Sequence, residues 1–499
     1  MEYTETRPTL SVLLPVFDAM PWLTFAVRDM LKQQLRGNAS LELLVSFDGG
    51  GDNSLAFLLD LVSKLGPSRA SDDVIASSPS PGPSDEANDA TNPAMRQPMR
   101  AAEGVDHPSF SGAAAPPMQA PLSAGEVASA ARPEHRLRLL RRADRSNRGQ
   151  GAAMTLALRH ARAELIAQME SDDERSDEHA FARMLALLEA HPEWDGVSCL
   201  VELIGWERPG MQAYASWQNG LVTAEQMAAG RFVEIPALHQ TAVFKREAVE
   251  AVLASTDGCY RDGTWRRPPR RAELESCALT SAPGSIEPVA PEASGPAAAD
   301  GDEEEEEAHG SELDAPVDLW WWLSFYHAGK RCGKAVGEAP PALLGWRQHP
   351  RQHTRTHGRL SIDNLRRIKV HFLLRRGGPL AGCTRVVVIS VGATLRGWAA
   401  DLRAHPAGGR VEVVEVSWAP GKKGNAPLPP AARLGAAAAG SKRKHAAAEG
   451  ASAAVPAGRV GCERQLVMRV WAFGREEVRC KVREQVADLD EMVTDLFVA

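Results

Sequence analysis

The densest chemistry in this chain is the tetrapeptide Glu170-Ser171-Asp172-Asp173, which follows an apolar run, Leu165 to Met169, that reads as a short buried strand. Ligands of open α/β sheets sit outside the carboxyl ends of the strands, and three carboxylates crowded there repel one another unless a cation is shared. Hard oxygen ligands of this kind select Mg²⁺ or Mn²⁺ held jointly with substrate phosphates. The competing reading is an acidic helix start favoured by the macrodipole, since Glu174 and Glu178 continue the charge. Asp318 opens an aromatic stretch, Asp318-Leu319-Trp320-Trp321-Trp322-Leu323, with Gly329 eleven residues on. It is a candidate proton acceptor, and equally a candidate N-cap. Asn147-Arg148-Gly149-Gln150-Gly151 offers backbone amides and positive charge to phosphate, or is a plain helix-start loop.

Positioning these groups requires strands and helices in alternation. Leu10 to Pro15 and Leu41 to Phe47 are aliphatic runs, each followed by an amphipathic stretch, Trp22 to Gln34 and Ser54 to Leu65. The second strand ends on Asp48-Gly49-Gly50-Gly51-Asp52. Such βα repetition predicts a parallel sheet covered by helices. Further strands are expected at 137–140, 165–169, 197–203 and 240–244, and helices at 152–163 and 177–188. Thr223 and Gln226 form a capping box for a short helix. Arg136, Arg138, Arg141, Arg142 and Arg145 alternate with or flank leucines, as the solvated face of a strand or as a track for an RNA backbone. The segments 66–132 and 266–315 are rich in Ser, Pro, Ala, Gly and acids and read as disordered insertions. A small βαβ unit follows at 385–416, then a Pro/Ala/Gly/Lys linker over 419–458 and a tail with one more strand and a charged helix.

The formal charge of −7 comes from 276–315, which holds eleven acids and no Lys or Arg; the rest is mildly basic. That balance neither demands nor excludes a nucleic-acid partner. Seven widely spaced cysteines without a CxxC pair fit a reduced compartment. The first residues lack a basic and apolar leader pattern, and no run of about 18 apolar residues exists to span a bilayer. No membrane partner and a cytoplasmic location are the expectation.

In their order along the chain, Ser11-Val12-Leu13-Leu14-Pro15-Val16, Ser46-Phe47-Asp48-Gly49-Gly50, Asn147 to Gly151, the acidic tetrapeptide, Asp318 with Trp322 and Gly329, and Leu343-Leu344-Gly345-Trp346-Arg347-Gln348-His349-Pro350 resemble the landmarks of family 2 glycosyltransferases. The resemblance covers residues 9 to about 375 without the insertions. It implies an α/β fold of GT-A type, a Rossmann-like mixed sheet flanked by helices, over 9–375, with a small α/β C-terminal domain over 384–499. It further implies a metal-dependent, inverting transfer of a sugar from a UDP-sugar donor to a hydroxyl acceptor. Donor contacts would come from Pro15, Asp48, Arg148 and Glu170, metal contacts (Mn²⁺ or Mg²⁺) from Asp172 and His349, and the base from Asp318, with Asp173 supporting the metal ligand. Three positions depart from the pattern: Phe47 and Glu170 each stand where the family has Asp, and Val317 where it has an acid. They keep open a sugar-nucleotide binder without turnover. A dinucleotide-binding enzyme is disfavoured, because Val16 to Pro21 contains no glycine. Trp217 to Gln226, His349-Pro350 with Thr354, and the strand Arg385-Val386-Val387-Val388 are similar to a subgroup that galactosylates queuosine in tRNA, which makes tRNA the implied acceptor.

Overall fold

The computed structural model describes residues 7–75, 120–205, 209–263, 308–336, 343–349, 352, 358–418, 467–472, 478–479, 482 and 494–498. Two compact units result, 1–227 with 237–293 and 330–357, and 228–236 with 294–329 and 358–499.

The first unit is built on an eight-stranded sheet in the order β3-β4-β2-β1-β5-β8-β6-β9 among the described residues. The strands are β1 (Leu10–Val16), β2 (Leu41–Phe47), β3 (Ala70–Ile75), β4 (Arg136–Arg142), β5 (Leu165–Gln168), β6 (Gly196–Ser198), β8 (Ala242–Lys245) and β9 (Cys332–Lys334). All neighbours pair parallel except β8, which runs against β5 and β6. The expected mixed α/β sheet is therefore present. Every residue of β1 and β2 is buried, as strands covered on both faces must be, and this explains their unbroken aliphatic character. The register aligns Leu13 with Leu44 and with Gln168, so Pro15, Asp48 and Glu170 emerge at one end of the sheet. A separate two-stranded parallel ladder joins β7 (Leu200–Gly205) to β10 (Leu343–Gln348).

Several expectations are corrected. The proposed insertion 66–132 contains β3 and a helix, Ala124–Ala130, closed by a capping box between Ser123 and Glu126; residues 76–119 lie outside the described residues. β3 escaped notice because Ala-Ser-Asp-Asp-Val-Ile has little apolar alternation and draws its partners from β4. The strand expected over 197–203 is two strands, since the chain leaves the large sheet at Cys199 and joins β10 instead. The strand expected from Gln240 begins as a 3₁₀ turn, His239–Thr241. The Thr223 to Gln226 capping box forms, with Gln226 N–H donating to Thr223 Oγ1 at 3.2 Å and Thr223 N–H to Gln226 Oε1 at 3.1 Å. Of the second insertion, 308–315 are described, with helix over 308–312; 266–307, the linker 419–458 and most of the tail helix lie outside the described residues.

The second unit carries a parallel sheet β12-β11-β13-β14, made of β11 (Arg385–Ser390), β12 (Glu412–Ser417), β13 (Val467–Ala472) and β14 (Thr494–Val498). The helix Gly392–Ala404 is the crossover between β11 and β12, as the βαβ pattern predicts. Val386, Val388, Trp398 and Leu402 form one apolar core with Trp320, Leu323, Ile368 and Phe372 from the helices Val317–His327 and Ile362–Leu374. Among the described residues no helix is long and apolar enough to cross a membrane.

One buried polar network holds β1, β2 and the approach to β5 together. Ser11 Oγ donates to Glu42 Oε1 at 2.5 Å, and Arg162 donates to the same carboxylate from its backbone N–H at 2.6 Å and its Nε at 3.0 Å. Glu42 is fully buried. Replacing it by Leu removes the acceptor of the buried Ser11 hydroxyl, at a cost of about 1–3 kcal/mol. We expect Glu42→Leu to lower the urea midpoint at unchanged m-value; an unaltered midpoint would show that the network adds no stability.

Candidate functional site

The acidic turn leaves β5 at Gln168 and is shaped by Asp173, a fully buried carboxylate. Asp173 accepts from Gln240 Nε2 at 2.9 Å and from the backbone N–H of Arg347 at 2.8 Å. Burial and the neighbouring charge of Asp172 push its pKa well above the ordinary carboxylate value. Around it, Glu174 and Gly345 exchange two backbone hydrogen bonds of 3.0 and 2.8 Å, and Arg347 Nε donates to the Asp172 carbonyl at 2.9 Å while its guanidinium pairs with Glu174. The end of β10 is thus laced to the acidic turn.

This lacing brings His349 to Asp172 across 177 residues of sequence, with Nε2 2.9 Å from Oδ2. The imidazole packs on Trp22, ring centroids 4.2 Å apart. Its Nδ1 is buried and has no hydrogen-bond partner among the described residues. Trp22, Gln240 and Arg347 were not singled out from the sequence. Arg347 lay inside the quoted Leu343 to Pro350 motif, but its role depends on a non-local pairing that no spacing reveals.

Glu170 is held from two sides, by Gln150 Nε2 at 2.6 Å and by Gln168 Nε2. Asp48 stands at the end of β2, where its N–H donates to the Val16 carbonyl at 2.9 Å. It is buried, ion-paired with Arg142, and accepts the Arg148 N–H at 3.0 Å. Its pKa is raised because desolvation outweighs the attraction of Arg142. Pro15 lies in β1 opposite Ser46 of β2. The structure therefore brings Pro15, Asp48, Arg148 and Glu170 to the carboxyl ends of β1, β2, β4 and β5.

The glycine loop answers to packing. A Cβ on Gly151 would lie 2.6 Å from Asp262 Cβ and 2.8 Å from the Tyr260 carbonyl, and the Gly151 N–H donates to Asp262 Oδ2 at 3.3 Å. Glycine is needed there for close approach of chain 260–262, so the helix-start reading accounts for it. The arginines of β4 are likewise engaged. Arg138 pairs with Asp73 at 2.7 Å and Arg141 bidentately with Asp72 at 2.7 and 2.6 Å, so these two arginines of β4 are ion-paired to β3.

Asp318 belongs to the second unit, in the first turn of Val317–His327. The N-cap is Pro316, so the capping alternative is set aside. Gly329 follows the helix at φ +70°, a conformation in which glycine is at ease, and donates to the Tyr326 carbonyl at 3.1 Å. Burial raises the Asp318 pKa to about 6. Trp320, Trp321 and Trp322 are all buried, Trp322 stacked on Tyr326 at 5.8 Å. An exposed ring for stacking an acceptor is therefore not provided by these three.

Comparison with known proteins follows the same line. No curated protein matches the chain. Among solved structures, S. aureus TarS 1-349 in complex with UDP-GlcNAc is similar at 12% identity and a TM-score of 0.38, over 73% of this chain and 66% of that one. S. aureus TarS 1-349 alone gives 12% and 0.37, over 81% and 83%. The mannosyltransferase PcManGT from Pyrobaculum calidifontis, in complex with GDP-Man and Mn²⁺, gives 13% and 0.27, over 65% and 70%. The chain spans slightly under two thirds of the first two TarS chains, 66% and 65%. Residues 124–253 match the model of Glycosyl transferase family 2, a stretch that runs from the helix before β4 to the helix after β8 and includes the whole acidic turn. The sheet is mixed and mostly parallel, and residues 124–253 of the chain are similar to family 2 glycosyltransferases.

Proposed function

We propose that this protein is a metal-dependent, inverting glycosyltransferase that moves a sugar from a UDP-sugar to a hydroxyl acceptor. The observation that carries the reading is the Asp172–His349 pair beside the carboxyl end of β5, within reach of the family 2 segment. Two ligands at right angles around an ion with bonds of 2.0–2.1 Å lie about 2.9 Å apart, the separation found between Asp172 Oδ2 and His349 Nε2. One carboxylate oxygen and one imidazole nitrogen, completed by diphosphate oxygens, suit Mn²⁺ or Mg²⁺. A cation held there by Asp172 and His349 would supply positive charge to offset that of the departing nucleoside diphosphate.

The other roles belong to the chain. Pro15, Asp48, Arg148 and Glu170 bind the nucleoside, with Glu170 oriented by Gln150 and Gln168. Asp173 holds Asp172 in place through the turn it anchors. Asp318 takes the proton of the acceptor hydroxyl, for which a carboxyl titrating near 6 is better matched than one at the ordinary value. The acceptor oxygen attacks the anomeric carbon from the face opposite the diphosphate, and the configuration inverts. In the finer reading the sugar is galactose and the acceptor is queuosine in cytoplasmic tRNA, supported by the resemblance of Trp217 to Gln226 and of Arg385 to Val388. A second reading, a binder of sugar nucleotides without turnover, rests on Phe47, Glu170 and Val317.

Release of UDP from a panel of UDP-hexoses with Mn²⁺, first alone and then with tRNA, tests these readings. Binding of UDP without turnover under any condition would establish the second. Asp318→Asn is expected to lower kcat about 10²–10⁴-fold with donor affinity retained; full turnover in that variant would remove Asp318 as the base. Because the base must be ionised, wild-type kcat is expected to fall as pH drops through about 6, and a flat profile down to pH 5 would contradict the assignment. His349→Ala is expected to raise the Mn²⁺ concentration for half-maximal activity about 10–100-fold, measured by metal titration; an unchanged requirement would exclude His349 from the cation site.

A further inference from the structure

Among the described residues, one group of three ligand-type side chains brings its ligand atoms within 4.8 Å of one another, and it consists of His309, His371 and His405. All three belong to the second unit and come from separate stretches of chain. His309 lies in the helical residues 308–312, His371 in the helix Ile362–Leu374, and His405 directly after the helix Gly392–Ala404. His371 and His405 are each 3% exposed, and His309 is half-buried.

The orientation of the rings is fixed from outside the cluster. Gly310 closes the far side of His371, where a Cβ would lie 2.8 Å from Nε2, so His371 offers Nδ1 inward. Trp320 stacks on the same ring, 5.8 Å away and 16° from parallel. His371 Nδ1 and His405 Nε2 are 3.3 Å apart. Two nitrogens bound tetrahedrally to zinc at 2.0–2.1 Å are separated by about 3.3 Å. His309 meets His405 edge-on, centroids 4.8 Å apart at 84°.

A hydrogen bond between two histidines explains part of this arrangement. The Ala407 N–H donates to His405 Nδ1 at 3.2 Å, which leaves the hydrogen of a neutral His405 on Nε2, directed at His371 Nδ1. It does not explain why a third imidazole converges on the same point. Ligation through His405 Nε2 moves its hydrogen to Nδ1, where it faces the Ala407 N–H, so metal binding must also draw residue 407 away from the ring.

We propose that His309, His371 and His405 form a second metal site, for a borderline-soft divalent cation of the zinc class, with three imidazole nitrogens and a fourth position left to water. Three neutral imidazoles without a carboxylate favour zinc over Mg²⁺ or Mn²⁺. The site fastens residues 308–312 to the two elements that carry His371 and His405, and its effect is structural.

The test uses the full chain carrying Asp172→Asn, which silences the other candidate cation site. We expect this chain to bind one equivalent of Zn²⁺ in isothermal calorimetry, to show the visible absorption of tetrahedral Co²⁺, and to melt at a higher temperature with Zn²⁺ than with chelator. Adding His309→Gln is expected to abolish all three. X-ray absorption on the zinc-loaded Asp172→Asn chain reads three nitrogen ligands of imidazole type without any substitution in the cluster. Absence of zinc uptake, a zinc shell without three imidazoles, or uptake unaltered by His309→Gln would each overturn the proposal.

Discussion

The candidate site depends on one buried carboxylate. Asp173 has no solvent to share its charge, so the protein must supply donors, and it draws them from two distant places, the Gln240 amide and the Arg347 backbone. The two bonds tie the acidic turn to the 3₁₀ turn His239–Thr241 and to the end of β10. The Arg347 bond in particular sets the path of the chain beyond β10 and with it the position of His349. The neighbouring Asp172 is only partly buried, and its carboxylate turns to His349. The two adjacent aspartates thus differ in burial and in partners, Asp173 tied to Gln240 and Arg347 and Asp172 to His349.

Much of the sheet was legible because β1 and β2 are covered on both faces and show it as unbroken aliphatic runs. The acidic turn was legible for a related reason, since carboxylates placed directly after such a run must stand at its end. What escaped was non-local or polar. β3 hid behind Ser71, Asp72 and Asp73, whose partners are arginines more than sixty residues away. β9 is only three residues long. The break at Cys199, where one apolar run serves two sheets, has no counterpart in periodicity. Nor does periodicity assign Arg347, which acts through its backbone as much as through its side chain.

The second unit shows the same contrast. Its βαβ pattern was plain in Val386 to Ile389 and Leu395 to Leu402, yet its core also takes in the tryptophan helix that follows the acidic stretch. Three consecutive indoles on one helix would ordinarily leave one facing water, and here all are buried. Phe325 and Tyr326 of the same helix and Phe372 of Ile362–Leu374 account for the direction each ring takes. Asp318 is set in the first turn of this helix, where the macrodipole favours its anion while desolvation opposes it, and desolvation prevails.

The pairing of Asp72 and Asp73 with Arg141 and Arg138 has a consequence for the outer margin of the large sheet. β3 is its terminal strand among the described residues, and such a strand exposes a row of unpaired amides and carbonyls to any extended peptide that drifts by. Asp72 and Asp73 give this strand charged residues on both faces, and a newcomer pairing with it would have to lay its own side chains beside them. Charged residues of this kind at a terminal strand disfavour growth of the sheet by strand addition.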